Sequence, residues 1–247
     1  MRRVLITGGA SGIGASVARA FLGAGDRVAV CDIAEIDIPG VVALRCDMGV
    51  RAEIEPMVAG AVAALGGLDV LVNNAGIAGP TGPVEGLDPA AWDRVMAVNI
   101  TAMFDTARLA IPHLRRSENG TIVNMSSAAG RFGYPNRAAY AASKWAVVGF
   151  TKTLAIELGR DAITVNAILP GSVDGERIRR VMAGRAEVAG ITPEEAIARG
   201  FAAQSIRRFV PPEDVAALIL FLASRHGRMI SGQALPIDGD LQRAGEG

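Results

Sequence analysis

Short apolar runs alternate with longer amphipathic stretches along the whole chain. The runs are about five residues long and nearly continuous in valine, isoleucine and leucine. Strands that are covered by helices on both faces have this composition. We predict strands at Arg3–Thr7, Arg27–Cys31, Val41–Cys46, Val70–Asn73, Gly120–Met125 and Thr164–Ile168, with a last one near Ala234–Ile237.

The longer stretches between these runs have helical spacing, and glycine and proline mark the joints. Strands that alternate with helices indicate βαβ units and a parallel sheet. The predicted fold class is therefore α/β, a doubly wound (Rossmann-type) parallel sheet of about seven strands with helices on both faces, in a single domain over residues 1–247. The predicted helices are Ile13–Gly23, Arg51–Leu65, Ala90–Arg115, Ala138–Gly159 and Glu213–Ala223.

Two joints depart from this alternation. Only eight residues, 33–40, separate Asp32 from Val41, whereas a crossover between parallel strands normally needs a dozen or more. We expect the helix there to be absent or reduced to a turn. Residues 173–210 contain helical stretches at Glu176–Ala189 and Pro193–Gln204. Because they follow a strand end, where ligands bind in such sheets, we expect this segment to be a substrate lid.

Composition and charge exclude several classes of protein. Lysine plus arginine equals aspartate plus glutamate at 25 each, so no basic excess favours nucleic-acid binding. No apolar stretch approaches the roughly 18 residues of a membrane-spanning helix, and the run after Arg2 and Arg3 is too short for a signal peptide. Cys31 and Cys46 form neither a disulfide framework nor a metal cluster. We expect a cytoplasmic protein without a metal, a membrane partner or a nucleic-acid partner.

A glycine-rich loop, Thr7–Gly14 (Thr-Gly-Gly-Ala-Ser-Gly-Ile-Gly), joins the first strand to the first helix. Glycines at 8, 12 and 14 would let a pyrophosphate approach the backbone, and the helix start offers N–H groups to an anion. A connecting turn without a ligand is the alternative. A P-loop is not indicated, because no Gly-Lys-Ser/Thr follows.

Asp32 ends the second strand, about 20 residues past the loop, where an acid can bond a ribose 2′-hydroxyl and repel a 2′-phosphate. No lysine or arginine lies within residues 8–13, and Ile33 follows the acid. NAD is therefore favoured over NADP, although a solvated turn would also explain the acid. Asp47 and Met48, after the third strand, would either flank the adenine or form an exposed turn.

Tyr140 and Lys144 stand four residues apart in a predicted helix, so they share one face. A neighbouring ammonium favours the phenolate that a tyrosine base requires. Ser127 follows the strand Gly120–Met125, where its hydroxyl could hold a substrate oxygen. Separately, the three could be an interface aromatic, a surface charge and a turn former.

These motifs together resemble the short-chain dehydrogenase/reductase family over nearly the whole chain. Thr7–Gly14 matches the family's glycine-rich loop, and Asn73-Asn74-Ala75-Gly76 its Asn-Asn-Ala-Gly motif. Pro170-Gly171 matches its Pro-Gly turn near the nicotinamide. The residues that match its catalytic tetrad are Asn99, Ser127, Tyr140 and Lys144.

The resemblance implies an oxidoreductase that interconverts a secondary alcohol and its ketone with a nicotinamide cofactor, and a hydroxy acid or a sugar or polyol derivative is the candidate alcohol. In the oxidation that it implies, Ser127 orients the alcohol, Tyr140 removes its proton, and Lys144 lowers the tyrosine pKa and bonds the nicotinamide ribose. Asn99 would position a water for proton relay. The implied and proposed cofactor contacts are Gly8, Ser11, Gly12, Ile13, Gly14, Asp32, Asp47, Met48, Asn74, Ala75, Gly76, Tyr140, Lys144, Pro170, Gly171 and Val173.

The chain departs from the family pattern at three places. The connection 33–40 is short, Gly175 stands where a threonine often bonds the carboxamide, and Asp238-Gly239-Asp240 replaces the usual Asp-Gly-Gly. The family also implies a homotetramer built through the helices Ala90–Arg115 and Ala138–Gly159.

The lid resembles that of 3-hydroxybutyrate dehydrogenases, which makes Gln204 a candidate substrate contact, but Ala129 stands where that group has a histidine. The candidate substrate residues are Ser127, Ala129, Tyr140 and Gln204. Two other functions stay open: an NADPH-dependent 3-oxoacyl-type ketone reductase and a non-catalytic dinucleotide-binding protein. Four lid arginines would either form a solvated face or attract an acidic substrate, and they are Arg177, Arg179, Arg180 and Arg185.

Overall fold

The computed structural model describes residues 1–243. Within them, seven strands form one sheet in the order β3-β2-β1-β4-β5-β6-β7, and every neighbouring pair is parallel. The predicted α/β sheet is confirmed. The strands are β1 Arg3–Thr7, β2 Arg27–Asp32, β3 Val42–Arg45, β4 Val70–Asn73, β5 Thr121–Met125, β6 Thr164–Pro170 and β7 Ala234–Ile237.

Helices cover both faces of this sheet, because the central strands present apolar side chains on both sides. One core lies between the sheet and helices that bring Phe21 and Ile219, and the other receives Ile54, Leu114 and Leu158. The helices are α1 Gly12–Gly23, α2 Arg51–Leu65, α3 Pro89–Met96, α4 Ala102–Leu114, α5 Ala138–Leu158, α6 Glu176–Ala189, α7 Pro193–Ala202 and α8 Pro212–Leu222. α1 and α8 pack on one face, and α2, α4 and α5 on the other.

The predicted helical stretch Ala90–Arg115 is helical from Pro89 to Leu114, but it is not one regular α-helix. A π-helical turn at Ala97–Thr101 separates α3 from α4. Such turns insert one residue without stopping the helix, so hydrophobic spacing hardly registers them. Asn99 lies in this turn and hydrogen-bonds residues outside the helix, which is the local reason for the widened turn.

The connection 33–40 contains no helix, as its length predicted. Asp32 and Ala34 form a tight turn, in which the Asp32 carboxylate accepts the Ala34 N–H at 3.0 Å. Ile38 is buried and anchors the connection on the α1 side of the sheet. β3 then forms one edge of the sheet, with alternating half-buried and exposed residues.

Two helices follow β6 in the segment 173–210. Gly190 ends α6 in the left-handed conformation, with φ 64°. Thr192 and Glu195 form a capping box that begins α7, which ends at Ala202 rather than at Gln204. Backbone bonds from Asp174 to Val210 and from Val210 to Ser172 tie the two ends of the segment together.

The order of the strands creates one crevice at the sheet's carboxyl edge. From β1 the strand order runs to β2 and β3 on one side and to β4 and the later strands on the other. Ligands bind at such a reversal of strand order. No helix within residues 1–243 is long and apolar enough to cross a membrane. The same residues contain no cluster of three or more histidine, cysteine or acidic side chains able to hold a metal.

Candidate functional site

The glycine-rich loop is fixed against the end of β4. The Gly8 N–H donates to the Cys31 carbonyl at 2.8 Å. A Cβ at Gly8 would lie 2.7 Å from the Ala75 Cα, and its φ of +66° also requires glycine. The Thr7 hydroxyl accepts the N–H groups of Asn74 and Ala75 at 3.1 and 3.0 Å. The loop and the Asn-Asn-Ala-Gly motif are thus one rigid unit.

The start of α1 has the open space and free donors that a pyrophosphate needs. Gly12 has φ +53°, and no atom lies within 4 Å of the place where its Cβ would be. Ser11 makes no side-chain cap, and the first N–H groups of a helix have no partner within it. Ser11, Gly12 and Ile13 therefore fit a dinucleotide phosphate. Gly14 instead serves packing, since a Cβ there would lie 2.6 Å from the Asn74 side-chain amide nitrogen.

Asp32 connects the loop with the end of β2. Its two carboxylate oxygens accept the N–H groups of Ala10 and Ala34, each at 3.0 Å. The carboxylate is partly buried and lies at the mouth of the loop, where a ribose would follow the pyrophosphate. Asp32 ends β2 as the sequence predicted, and its contact with a ribose remains a prediction.

Asp47 and Met48 lie beyond this point with their side chains engaged elsewhere. The Asp47 carboxylate pairs with Arg94 at 2.8 Å and accepts the Gly49 N–H at 2.8 Å. Met48 is buried, with its sulfur 3.8 and 3.7 Å from the sulfurs of Cys31 and Cys46. Met48 can thus offer a cofactor only its backbone, and the predicted adenine contacts remain predictions.

The end of β5 and the start of α5 bring Ser127, Tyr140 and Lys144 together. Ser127 begins a short 3₁₀ turn, where its hydroxyl accepts the Ala129 N–H at 3.2 Å. Lys144 is buried, and its Nζ donates to the Met125 carbonyl at 2.8 Å. The same Nζ lies 5.7 Å from the centre of the Tyr140 ring. The three side chains form one polar cluster at the crevice.

Opposing effects set the pKa of Tyr140. Burial alone would raise it, but the nearby charges of Arg177 and Lys144, a hydrogen bond with Ser127 and the charge of Arg137 outweigh burial. The pKa therefore falls from 10.0 to about 8. The pKa of Lys144 also falls, from 10.5 to about 8, but here burial is the main cause and Tyr140 opposes the change. The phenol can exchange a proton near neutral pH.

Asn99 is fully buried, and both of its amide N–H groups are used within the protein. They donate to the Ile77 carbonyl and the Ser143 hydroxyl, each at 3.0 Å, while Oδ1 accepts the Ile77 N–H at 2.8 Å. The Ser143 hydroxyl donates in turn to the Tyr140 carbonyl at 2.7 Å. The side chain thus holds residue 77 against α5, and its predicted role in binding a water remains a prediction.

The remaining cofactor candidates border the same crevice. A Cβ at Gly76 would lie 3.2 Å from Asn99 Oδ1 and 3.4 Å from Lys144 Nζ, so the absent side chain lets the backbone pass beside the lysine. Pro170 ends β6, and the Gly171 N–H donates to the Ile237 carbonyl at 3.0 Å. Val173 pairs with Val210 across the two ends of the segment 173–210.

The departures from the family pattern have clear local structures. Gly175 has φ +143° with open space around its Cβ position, so a threonine there would be strained rather than blocked. Asp240 adopts φ 58°, the conformation that a glycine would take at this point. Its carboxylate accepts the Ser205 hydroxyl at 2.6 Å. The aspartate thus preserves the turn that glycine usually provides.

Two of the predicted substrate residues are buried. Ala129 is 1% exposed, and its N–H group holds the Ser127 hydroxyl. Gln204 is 4% exposed and pairs with Leu241 near the carboxyl end of the described chain. Its side-chain oxygen has no hydrogen-bond partner among residues 1–243. Their predicted contact with substrate remains a prediction.

A cleft next to Tyr140 contains residues that the sequence motifs did not identify. Its volume is about 370 Å³, which is within the range of small-molecule sites. Arg137 precedes the helix that carries Tyr140, and this position was its only sequence signal. Arg177 was one of four lid arginines without an assigned role. The lining consists of residues 76–79, Thr81, Arg137, Arg177, Arg180 and Val181.

Comparison with known proteins gives one consistent family. The family model described as short chain dehydrogenase matches residues 2–185. The chain is 37% identical over 249 residues to 2-(S)-hydroxypropyl-CoM dehydrogenase 3 of Xanthobacter autotrophicus, covering 96% of this chain and 95% of that protein. It is 34% identical over 250 residues to D-beta-hydroxybutyrate dehydrogenase of Cupriavidus necator, covering 96% of each.

The structural comparison agrees. A variant of actinorhodin polyketide ketoreductase, solved with NADPH, superposes with a TM-score of 0.90 at 36% identity, covering 97% of this chain and 96% of that one. Sequence motifs, sheet order and these relatives point the same way. The chain belongs to the short-chain dehydrogenase family and is an oxidoreductase of that type.

Proposed function

We propose that the protein is an NAD-dependent dehydrogenase that interconverts a secondary alcohol and its ketone, with Tyr140 as the acid–base. The observation that supports this most is the lowered pKa of Tyr140, about 8, beside Lys144 and Ser127. An acid–base works best when its pKa is near the operating pH. A protein that only binds a dinucleotide has no need for a phenol adjusted in this way.

In the proposed reaction, the bound dinucleotide supplies the nicotinamide carbon that accepts or returns a hydride. Ser127 holds the substrate oxygen next to Tyr140. During oxidation the Tyr140 phenolate takes the hydroxyl proton of the alcohol, and during reduction the phenol donates that proton to the ketone oxygen. Lys144 keeps positive charge beside the phenolate, and the Met125 carbonyl holds its ammonium in place.

Asp32 supports NAD over NADP. Its carboxylate lies at the mouth of the glycine-rich loop, held by two backbone N–H groups. There it would accept bonds from a ribose 2′-hydroxyl and repel a 2′-phosphate. The alternative is an NADPH-dependent ketone reductase of the 3-oxoacyl type, which is favoured by the relative solved with NADPH.

Titration of the purified protein with NADH and NADPH, followed by fluorescence, tests this assignment. We expect NADH to bind at least about tenfold more tightly, because placing like charges together costs several kcal/mol. Asp32→Asn should reduce that preference. Asp37→Asn, the same change in the same connection, is the matched control and should leave it unchanged. Equal or stronger NADPH binding would favour the reductase, and binding of neither would contradict the cofactor assignment.

We also propose that residues 173–210 act as a lid within a single dehydrogenase domain. α6 brings Arg177, Arg180 and Val181 to the cleft beside Tyr140. Closing over a bound substrate would exclude water from the proton-transfer step.

A homotetramer in the cytoplasm completes the proposal. Phe104 on α4 and two residues of α5, Trp145 and Ile156, are exposed by 42%, 51% and 82%. Large apolar side chains grouped on two helices are a common feature of subunit interfaces. A reducing compartment is compatible with the two buried free cysteines, Cys31 and Cys46.

A further inference from the structure

Positive charge is concentrated around the Tyr140 ring. The guanidinium carbons of Arg137 and Arg177 lie 4.9 and 5.9 Å from the ring centre, and Lys144 Nζ lies at 5.7 Å. Arg185 stacks on the neighbouring Tyr134 at 4.8 Å. The chain as a whole has a formal charge of zero, so this excess is local to the cleft.

No carboxylate neutralises the charge of Arg137 or Arg177 within the described part of the chain. Among residues 1–243, neither Arg137 nor Arg177 forms an ion pair with an acidic side chain. Arg137 donates to the Ala78 carbonyl at 2.9 Å, and Arg177 donates to the Gly76 carbonyl at 3.0 Å. Both partners are neutral backbone groups, which leaves most guanidinium N–H groups available for a ligand.

Arg137 is the more unusual of the two, because it is only 4% exposed. Its Nε is buried without a hydrogen-bond partner among the described residues. Burial has the largest effect and lowers its pKa; Tyr140 opposes this, and the like charges of Arg185 and Arg177 lower the pKa further. Buried charges in proteins are normally paired. An anion is the partner that this site lacks.

The backbone holds Arg137 in this position. Asn136 adopts φ 60°, a left-handed conformation that asparagine tolerates, and its carbonyl accepts the Gly82 N–H at 2.9 Å. The guanidinium is thereby placed between the loop 76–82 and α5. Arg177 reaches the same loop from α6, where it bonds the Gly76 carbonyl.

The geometry points to an anion-binding site: we propose that Arg137 and Arg177 bind the carboxylate of a short hydroxy acid, or of its keto form, while Tyr140 and Ser127 hold the reacting oxygen. Both guanidinium groups are close to the ring of the acid–base, so the carboxylate must be only a few bonds from the carbinol carbon. A carboxylate can accept paired hydrogen bonds from a guanidinium. This inference rests on the proposed function and specifies its substrate class.

A cofactor phosphate is the other anion that two arginines could bind. The pyrophosphate already has a fitting site at Gly12 and the start of α1, whereas Arg137 lies beside Tyr140. The two explanations differ in what an arginine substitution would change. Loss of a substrate anchor weakens binding of the acid alone, and loss of a phosphate contact weakens binding of the dinucleotide.

The test compares hydroxy acids with their uncharged methyl esters. Racemic lactate, 2-hydroxybutyrate and 3-hydroxybutyrate, each beside its ester, are oxidised by the wild-type enzyme and by Arg137→Met and Arg177→Met. The measured quantity is the ratio of kcat/KM for acid to that for ester. Any effect of these substitutions on Tyr140 or on the dinucleotide acts on both substrates and cancels in the ratio.

We expect the wild type to prefer at least one acid over its ester, and Arg137→Met to lower that ratio about 10- to 100-fold, the range for losing charge-assisted hydrogen bonds. Arg177→Met should act in the same direction. It lies on an exposed part of the lid, so it provides the test should Arg137→Met fold poorly. The control is Arg179→Met, which removes the same charge from the same helix at a residue paired with Asp174, and its ratio should stay within about twofold.

Two results would overturn the anion site: no preference of the wild type for any acid, or an acid preference that both cleft variants retain. Dinucleotide affinity of the variants is measured alongside, and a loss there with an unchanged ratio would assign the arginines to the cofactor instead.

A binding measurement separates this inference from the proposed function. Calorimetry of lactate, 2-hydroxybutyrate and 3-hydroxybutyrate with the NAD-loaded protein measures binding without relying on turnover. If no alcohol or ketone is converted with either dinucleotide, the proposed function fails. Binding of the acid that Arg137→Met or Arg177→Met abolishes would still support the anion site. Absence of such binding for lactate, 2-hydroxybutyrate and 3-hydroxybutyrate would overturn it.

Discussion

The Tyr140 side chain is partly buried and surrounded by positive charge. Burial alone would keep the phenol protonated, and the surrounding cations reverse that tendency, so its pKa is about 8 instead of 10.0. The largest of the charge effects comes from Arg177, a residue of the proposed lid, ahead of Lys144. Tyr140 and the proposed lid are therefore electrostatically linked.

This link predicts the pH dependence of both directions of the reaction. Oxidation needs the phenolate, so its kcat/KM should rise about tenfold per pH unit and level off above pH ~8. Reduction needs the phenol, so its kcat/KM should fall above the same pH. Because Tyr140 and Lys144 titrate in one range, the midpoint belongs to the pair.

Initial rates with an uncharged alcohol and its ketone between pH ~6 and ~10 would measure this midpoint. Arg177→Met should move it upward, since a cation that favours the phenolate has been removed. Arg179→Met is the control and should leave it in place. A midpoint that stays near pH ~8 in Arg177→Met would contradict the link between lid and acid–base.

At the scale of elements, the strand–loop–helix unit β1–α1 shows how one glycine can serve conformation and binding together. Gly12 and Gly25 both have positive φ, +53° and +80°, and both have open space at the Cβ position. Only Gly12 faces the proposed phosphate site. Comparing alanine substitutions at the two positions therefore distinguishes the effect of backbone strain from the effect of blocking a ligand.

Gly12→Ala and Gly25→Ala should each lower the free energy of unfolding by about 1–2 kcal/mol, because a left-handed conformation is unfavourable for alanine. Only Gly12→Ala should also weaken dinucleotide binding, by about tenfold or more. Thermal unfolding and NADH titration of both variants provide the comparison. Equal NADH affinities in the two variants would count against Gly12 as part of the phosphate site.

The same scale shows what the sequence could and could not predict. Strands such as β4 and β5 were predictable because they are short, mostly apolar runs, and all of their residues are buried. Tyr140 and Lys144 were predictable as neighbours because helical spacing puts them on one face. The π-helical turn at Asn99 was not predicted, since one inserted residue leaves the hydrophobic pattern of the flanking helices almost unchanged.

The place of Arg137 in the cleft was not predicted from the sequence, for a different reason. Its partner Ala78 is 59 residues away in the chain, and Arg177 is 101 residues from Gly76. No local pattern encodes such a meeting, because it depends on how the loop 76–82, α5 and α6 converge. An arginine one position before a helix is otherwise an ordinary surface residue.

At the scale of the whole molecule, α4 and α5 present apolar side chains that the described chain does not cover. Trp145 is 51% exposed directly after Lys144, and Phe104 packs edge-on against Phe150 with ring centroids 6.5 Å apart. The proposed tetramer would bury this surface. Its assembly and its active site would then share α5.

Trp145→Glu should therefore shift the protein toward smaller species, because a charge in an apolar interface is costly to bury. Light scattering after size-exclusion chromatography measures the change. Val188→Glu, a similar change at a 47% exposed residue of α6, is the control and should not alter the mass. A monomeric wild type, or a Trp145→Glu protein of unchanged mass, would contradict an interface at α5.

The helix-free connection 33–40 has a consequence for local unfolding. β3 pairs with a neighbour on one side only, is four residues long, and alternates half-buried with exposed positions. Opening this edge exposes far less apolar surface than opening β4, so it costs less free energy. The wall beyond Asp32 should thus open and close many times while the centre of the sheet stays intact, a difference that amide hydrogen exchange would register. A dinucleotide that binds there would stabilise the closed edge and slow this opening. Part of its binding free energy would therefore offset the cost of ordering the edge strand.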